Sequence, residues 1–455
     1  MKVCKFGGSS VANAQQILKV LDIAKRDADR HVIVVSAPGK RFKADDKVTD
    51  LLIDCASRVL TGGEPDKAVE RVVERFEEIR AELDLPASLV DDFRKDLEGR
   101  LARDFHRNPG QFMDAVKAMG EEYSARFCAV AFAARGLPAV YVDPKEAGML
   151  LSEEFGNAQL LPESYELLEK KLSGISETII FPGFFGYTKG GEVATFSRGG
   201  SDITGAILAK ALKADVYENF TDVDAVYPVD PRLCPDVVKA GGIKEMTYAE
   251  MRELSYAGFG VFHDEAVMPA IVASIPINIR NTNHPDEPGT MILPTRKTVP
   301  GRVNGVATSK GFGSLFVEKW LMNREVGYVA RLLGILADEG ISIEMIPAGV
   351  DSVSVIFHDG KFTEDVRKKV FARIETELHP DKIVYTSGLA FLCAVGEGMR
   401  QTVGTCLHVV SALSKAGVNL QIINQGSSEI SIMFGIREED LKPAVQAIFA
   451  EFFGS

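Results

Sequence analysis

Short apolar runs rich in β-branched residues alternate with amphipathic stretches at the start of the chain. Val3-Cys4 reads as the end of a buried strand reaching Lys5. A helical pattern follows from about Ala12 to Arg26, with Ser9-Ser10 as its opening. Next comes His31-Val-Ile-Val-Val-Ser36, closed by Ala37-Pro38-Gly39, the form expected of a buried parallel strand. Residues 63–118 change character: they are charge-rich and helical in period over Ala68–Leu83 and Leu89–Arg103, and they read as a helical lobe inserted after the second strand. Strand patterns return at Ala139–Val142, Thr178–Phe181, Glu192–Phe196, Ala214–Tyr217 and Ile277–Arg280, with a helix at Ile203–Leu212. This alternation predicts an α/β domain over 1–300, a mostly parallel sheet sandwiched by helices.

The rest of the chain repeats a smaller pattern. Strand, helix, strand, strand are read at Gly313–Glu318, Tyr328–Ala337, Ile341–Ile346 and Val353–Phe357. The same order returns at Leu389–Val395, Thr402–Ala416, Val418–Ile423 and Glu429–Phe434. Gly340 and Gly417 stand at matching helix ends, where glycine is favoured. A tandem module is the better reading of such a repeat, with bounds 301–387 and 388–455. The copies are unequal. A helix (Glu364–Leu378) and a strand (Lys382–Tyr385) follow the first, while the second ends on a helix (Glu438–Phe453), so strand exchange between them is expected.

Composition narrows the function. A chain of 455 residues, 46% hydrophobic and 25% charged, suits two or three globular domains. A net charge of −12 argues against a nucleic-acid partner, although an anionic substrate responds only to the local field. No apolar run is long enough for a membrane span, and no signal-peptide pattern opens the sequence. Six scattered cysteines without a Cys-x-x-Cys pair read as buried free thiols, which implies a cytoplasmic protein. The seven histidines form no metal-like cluster, so no protein-held metal is expected.

Three segments carry chemistry. Lys5-Phe-Gly-Gly-Ser-Ser10 joins a strand, a lone cation, a glycine pair and a helix start, a combination that suits a phosphate group. Its lysine precedes the glycines, unlike the Walker pattern. Arg198-Gly-Gly-Ser-Asp202 opens the next helix; Ser201 and Asp202 are ordinary capping residues, but a cap does not need the cation of Arg198. Thr221-Asp222, with Tyr227 and Arg232, follows a strand and reads equally as a nucleotide loop or a polar Pro-rich turn. Glu121 is either a dipole complement in a first helical turn or a ligand for an ammonium group, and Thr49 is an N-cap candidate.

Together, Lys5–Ser10, Ser197–Asp202, Phe220–Asp224 with Tyr227 and Asp230-Pro-Arg232, and Asn424-Gln-Gly-Ser-Ser-Glu-Ile430 resemble the aspartokinases, in the family's order over nearly the whole chain. The first motif is shared across the amino-acid kinase superfamily. Its combination with tandem C-terminal modules similar to ACT domains is that of aspartokinases, here a clostridial-like variant of the monofunctional lysine-sensitive type. The resemblance implies an amino-acid-kinase fold followed by two small α+β, ferredoxin-like modules. It implies ATP-dependent phosphorylation of the L-aspartate β-carboxylate to 4-phospho-L-aspartate, the step that leads toward lysine, threonine, methionine and diaminopimelate. Lys5 and Asp202 become the catalytic pair, with Mg²⁺ organised near Asp202. Thr49, Glu121, Arg198 and Ser201 become the aspartate site. Lys5, Gly7, Gly8, Ser9, Thr221, Asp222, Tyr227, Arg232, Gly260 and Val261 become the nucleotide site. Phosphoryl transfer of this kind is mainly positioning and charge stabilisation, and no general base is needed because the carboxylate is already ionised.

Two departures stand out. Many aspartokinases carry Gly-Ala-Lys-Val-x-His-Pro where this chain has Gly258-Phe-Gly-Val-Phe-His-Asp264, so Gly260 replaces a phosphate-side lysine that Lys40 or Lys47 would compensate. The regulatory turn reads Met322…Glu325-Val-Gly-Tyr-Val329, followed by Ile341-Ser-Ile-Glu-Met-Ile346. The resemblance makes Met322, Glu325, Gly327, Tyr328, Val329, Ser342 and Glu344 an amino-acid effector site, for lysine ahead of threonine. A homodimer through the ACT-like modules, or a tetramer, is expected. The rival readings are another amino-acid kinase acting on a carbamate or a different carboxylate, and a catalytically dead amino-acid sensor.

Overall fold

The computed structural model describes residues 1–454 apart from 105, 107, 198 and 259–263, with the side chains of 264 and 265 left out. The chain divides into two compact units. The first holds Met1–Val226, Gly242–Tyr248 and Val261–Arg296; the second holds Tyr227–Gly241, Ala249–Gly260 and Lys297–Ser455.

The strands of the first unit are β1 (Lys2–Phe6), β2 (Arg30–Val35), β3 (Ala139–Tyr141), β4 (Thr178–Pro182), β5 (Phe185–Tyr187), β6 (Val193–Thr195), β7 (Val216–Thr221), β8 (Glu245–Thr247), β9 (Ile277–Asn281) and β10 (Thr290–Leu293). Eight of them form one sheet in the order β3-β4-β2-β1-β7-β9-β10-β8, while β5 and β6 pair as a separate hairpin. Only the β9–β10 pairing in the large sheet is antiparallel. Val3, Cys4 and Val32–Val35 are fully buried, as the uninterrupted apolar runs require of central parallel strands. β1 sits where the chain order reverses, with β2 on one side and β7 on the other, so the carboxyl ends of β1 and β7 border the crevice where such sheets bind ligands.

Among the described residues, five helices stand between β2 and β3: Val48–Leu60, Asp66–Glu82, Ser88–Leu101, Pro109–Lys117 and Met119–Ala134. Their apolar faces join the sheet core, and Phe76, Phe93, Tyr123 and Phe127 form an aromatic cluster within it. No helix among the described residues is long and apolar enough to cross a membrane.

The second unit adds β11 (Gly305–Glu318), β12 (Ile343–Met345), β13 (Ser352–His358), β14 (Lys382–Val395), β15 (Ile422–Gln425) and β16 (Ser431–Arg437). They form one antiparallel sheet in the order β12-β13-β11-β14-β16-β15. The two long central strands pair along their whole length, with irregular register near Gly311, whose φ is 87°. The C-terminal half of β11 pairs with β13, and the C-terminal half of β14 pairs with β16. Each half-sheet is therefore completed by the strand that also serves the other half. Helices Tyr328–Asp338 and Glu364–Leu378 cover one half, and Thr405–Lys415 and Leu441–Phe452 cover the other.

Several sequence expectations shift. Ser9-Ser10 do not open the first helix. Gly8–Val11 make a 3₁₀ turn, and the Asn13 side chain caps Ala14–Lys25 by accepting from the Gln16 N–H at 3.0 Å. Thr49 lies inside the helix that Lys47 precedes, so it is not a cap. β7 starts later than the apolar run at Ala214–Tyr217, because its pairing with β1 extends to Phe6 opposite Phe220. Its buried Glu218 and Asn219 look like a strand end in sequence, yet both have partners. The segments at Lys382–Tyr385 and Leu389–Val395 are one strand, and the strand expected over Val418–Ile423 is the short edge strand β15.

Candidate active site

The site starts from Lys5, the penultimate residue of β1, which is only 8% exposed. Its register neighbours are Val34 on β2 and Asn219 on β7. The Lys5 Nζ lies 2.7 Å from Asp202 Oδ1. That same oxygen accepts a hydrogen bond from Asn219 Nδ2 at 2.7 Å. Asp202 belongs to the first turn of the helix Gly200–Ala211, whose N-cap, Gly199, has φ 77° and no side-chain cap. The pair therefore joins a strand end to a helix N-terminus, and the positive end of that helix also favours the carboxylate.

Beyond Lys5 the backbone turns in very little space. The Gly7 N–H donates to the Phe220 carbonyl at 3.2 Å, and the Gly39 N–H donates to the Gly8 carbonyl at 2.8 Å. A Cβ at Gly39 would lie 2.6 Å from the Gly8 carbonyl carbon, and one at Gly8 would lie 3.0 Å from the Ala37 oxygen. Only glycines allow the ends of β1 and β2 to touch in this way. Ser9 is exposed at the turn, while Ser10 is buried and its hydroxyl meets that of Thr282 at 2.7 Å.

Glu121 stands on the same edge, in the first turn of Met119–Ala134 and beside Ala37. Its neighbour Gly120 fixes that approach, since a Cβ there would lie 2.7 Å from the Ala37 Cβ. Glu121 is 5% exposed, and its Oε2 has no hydrogen-bond partner. Burial pushes its carboxyl up to about 8, against the backbone N–H groups of Ala37 and Glu121 and the Lys117 ammonium, which favour the charged form. A buried carboxylate with an unpartnered oxygen is costly unless a ligand completes it. Half-buried Thr49 is in the adjoining helix, whose first N–H bonds the Pro38 carbonyl at 3.0 Å. Ser201 is buried against Gly183, where a Cβ would lie 2.6 Å from its Oγ.

Over 453 residues the chain is 49% identical to aspartokinase 3 of Bacillus subtilis (strain 168), covering 100% of this chain and 99% of that one. The chain belongs to the aspartokinase family. It is an enzyme, a kinase that phosphorylates aspartate. The amino acid kinase family matches residues 1–281 of this aspartokinase, and an ACT domain matches residues 392–452. Its fold is similar to the crystal structure of Clostridium acetobutylicum aspartate kinase, with TM-score 0.87 and 36% identity over 99% of both chains. Escherichia coli aspartokinase III in complex with lysine and aspartate is similar too, with TM-score 0.76 and 25% identity, covering 100% of this chain and 99% of that one.

Not every predicted residue of this aspartokinase joins Lys5. Thr221 ends β7, and its Oγ1 donates to Asp222 Oδ1 at 3.3 Å. Tyr227 and Arg232 fall in the second unit, where Tyr227 packs on the regulatory core and Arg232 pairs with Asp230 at 2.7 Å. Arg198, Gly260 and Val261 lie outside the described residues. Lys40 and Lys47 are both exposed.

The predicted effector residues divide by sheet face. Met322 and Tyr328 are buried beneath the helix that Gly327, with φ 78°, precedes; Val329 packs on the same core, and the Tyr328 hydroxyl has no partner. Glu325 pairs with Arg331 and lies 3.9 Å from Lys319, and Ser342 is exposed. Ile343 joins that core too, but a register shift separates it from Met345, which packs against Phe312 and Phe391 in a different cluster. Glu344 goes with Met345 and accepts from the Tyr256 hydroxyl at 2.9 Å.

Sequence reasoning missed Asn219, Gly39 and Arg75. Arg75 is 4% exposed; it meets Asp45 at 2.6 Å and donates to the Gly39 carbonyl at 2.9 Å, bracing the turn under Gly8. Its place between Val72 and Phe76 on an apolar helix stripe was the available signal. Asn219 gave none, because nothing in a single sequence aligns it with Asp202.

Proposed function

We propose that this aspartokinase transfers the γ-phosphoryl group of ATP to the β-carboxylate of L-aspartate, giving 4-phospho-L-aspartate, and that an end-product amino acid inhibits it. The carrying observation is a paired but reachable cation, Lys5, on the same edge as the incompletely bonded carboxylate of Glu121. An oxygen of the substrate carboxylate bonds to phosphorus as the bond to ADP breaks. Lys5 offsets the charge on the transferring group, and Asp202 and Asn219 hold its ammonium in place. Gly7, Gly8 and Ser9 let the phosphates approach backbone N–H groups. Glu121 takes the substrate ammonium, Arg198 its α-carboxylate, and Thr49 and Ser201 complete the pocket. Asp202 would supply the hard oxygen donor that a nucleotide-borne Mg²⁺ favours, and that ion would offset charge on the phosphates. Thr221, Asp222, Tyr227, Arg232, Gly260 and Val261 serve the nucleotide, with Lys40 or Lys47 in place of the cation that Gly260 lacks. If Lys40→Ala and Lys47→Ala each leave KM for ATP unchanged, that substitution of roles is wrong. A hydroxamate assay with aspartate, ATP and Mg²⁺ tests the whole reading: product is expected, and its absence would overturn it.

The turn at Met322–Val329, with Ser342 and Glu344, is the proposed effector site, for lysine ahead of threonine. It is supported by the free helix N-terminus behind Gly327 and by the lysine complex of the Escherichia coli relative. Trp320, the single tryptophan, is 69% exposed beside this turn and reports on it. Lysine should inhibit the enzyme and shift Trp320 emission; inhibition by neither lysine nor threonine, alone or together, would remove the site. Pairing of two copies through the first ACT-like module accounts for exposed Val326, Val350 and Ile346 near the short edge strand β12. Sedimentation of Val350→Asp should show fewer dimers than the parent chain, and a tetramer would appear as a heavier species in the same run. A cytoplasmic location suits its free thiols.

A further inference from the structure

One helix of the inserted lobe, Asp66–Glu82, grips the loop that follows β2. That loop closes at its base, where the Val48 N–H donates to the Pro38 carbonyl at 3.0 Å. Within it Lys40, Lys43 and Lys47 are exposed, and so are Phe42 and Ala44, so residues 40–47 bury no apolar side chain. Charge holds the loop instead. Arg71, Arg75 and Glu78 recur at helical spacing on one face of the helix and meet Asp46, Asp45 and Arg41 in turn. Of these six only Arg75 and Asp45 are buried, at 4% and 8% exposure. Asp45 is also held from its own loop: the Arg41 backbone N–H and Nε each donate to its Oδ2 at 2.9 Å, and Arg41 Nη2 donates to its Oδ1 at 3.0 Å.

Arg75 reaches past this ion pair. Its Nη1 donates to Asp45 Oδ2 at 2.6 Å and to the Asp46 carbonyl at 3.2 Å. Its Nη2 donates to the Gly39 carbonyl at 2.9 Å and to the Ala12 carbonyl at 3.2 Å. Ala12 ends the 3₁₀ turn that begins at Gly8, and the Gly8 carbonyl accepts from the Gly39 N–H at 2.8 Å. One guanidinium therefore fastens the far end of the Gly8 turn, the glycine that meets its near end, and the loop that carries the lysines. A planar fork of nitrogens can serve four acceptors in this way, and an ammonium on a flexible stem cannot. Lys5 stands apart from this set, held by Asp202 and Asn219. On the reading of Gly7–Ser9 as the phosphate turn, we propose that Arg75 is a positioning residue for nucleotide binding. Through Gly39, Ala12 and Asp45 it sets the spacing between that turn and the loop bearing Lys40 and Lys47, and with it the affinity for ATP, without touching the reacting atoms.

Kinetics on the full chain, with separate KM values for ATP and aspartate, test this role. Arg75→Met should raise KM for ATP about tenfold or more and leave KM for aspartate and kcat per folded molecule within about twofold. Arg75→Lys should fall between that variant and the parent, because an ammonium keeps the charge and loses the fork. Asp45→Asn leaves the bonds of Arg75 to Gly39 and Ala12 in place and should raise KM for ATP about threefold, which keeps the test open if Arg75→Met folds poorly. Trypsin gives a second readout, since the loop offers it four basic residues: cutting within 40–47 should be about tenfold faster in Arg75→Met than in the parent. Glu70→Gln, in an exposed pair with Arg94 on the same helix, should change neither readout. Unchanged KM for ATP in both Arg75→Met and Asp45→Asn would overturn the proposal. So would a fall in kcat alone, or loop cleavage at the parent's rate, each of which fits a role in stability only. Gly8→Ala, whose Cβ would lie 3.0 Å from the Ala37 carbonyl oxygen, separates this role from the phosphate turn itself. If Gly8→Ala raises KM for ATP and Arg75→Met does not, the turn stands and the role of Arg75 falls. If Gly8→Ala leaves KM for ATP unchanged, the phosphates bind elsewhere and both fall.

Discussion

Residues 4 and 5 of β1 point to opposite faces of one sheet and head two different charge networks. On the face of Cys4, Glu218 accepts from Arg30 Nε at 2.7 Å, from Arg280 at 3.1 Å and from the Cys4 thiol at 3.2 Å. Glu218 is 2% exposed, and the two guanidiniums hold its carboxyl below the ordinary range despite its burial. On the other face, Lys5 shares a single oxygen of Asp202 with Asn219. In the first network both oxygens of Glu218 are taken by guanidinium groups, although Arg280 Nε is buried without a hydrogen-bond partner among the described residues. The second stops at a strand end, beside a glycine turn and a carboxylate with an oxygen to spare. Each pairs a carboxylate with a buried cation, so what separates framework from chemistry here is how far the carboxylate oxygens are already taken.

Four substitutions probe that contrast. Lys5→Ala should lower kcat for aspartate phosphorylation by ~10³-fold or more while the melting temperature stays near the parent's, because an open network carries reaction energy and little fold energy. A stable but fully active variant would break the contrast. Glu218→Gln should do the reverse. Removing one partner of a buried set costs about 3–5 kcal/mol, read by urea titration, with kcat per folded molecule retained. Next comes Gly39→Ala, whose added methyl meets the Gly8 carbonyl carbon at 2.6 Å. The forced backbone shift should cost about 1–3 kcal/mol and raise KM for ATP more than it lowers kcat.

The last effect concerns pH, and it is small over any one pH unit. Glu121 binds its proton more tightly when folded, with its carboxyl pushed up to about 8 from an ordinary 4.5. The folded state then holds more protons than the unfolded one between those values, so the ligand-free enzyme loses stability as pH rises from about 4.5 to about 8, by at most about 1.4 kcal/mol per pH unit. Glu121→Gln should flatten that slope in melts across the range, and L-aspartate should flatten it in the parent by pairing its ammonium with the charged carboxylate. An unchanged slope in the variant would assign the pH dependence to another group.

Much of this arrangement was legible in the sequence, for identifiable reasons. β1 and β2 announced themselves because central parallel strands are buried on both faces and read as unbroken apolar runs. The glycine turns after Lys5 and Arg198 were visible because few other residues tolerate such spacing. β7 was harder to place, since its Glu218 and Asn219 are polar and buried only by virtue of partners far along the chain. The surroundings of Glu344 were hard to read for a different reason. Simple alternation gives Ile343 and Met345 the same face, and the register shift between them divides that pair in a way that no periodicity encodes. Nor did proximity in sequence foretell that Tyr227 and Arg232 would belong to the second unit.

The shared central strands of the second unit reach beyond geometry. β11 and β14 each contribute one half to either side of the sheet, but the exchange is one-way: the first half-sheet lies within 301–387, while the second takes its outer neighbour for β14 from Gly305–Lys310 of β11. Cutting the chain between them would leave the first half with all its strands and expose an edge of β14 in the second, where Gly305–Lys310 pairs. The first repeat is thus a continuous segment that could be moved as a unit, whereas the second cannot be excised without residues that precede the first, although Tyr328 and Thr405 open matching helices in the two.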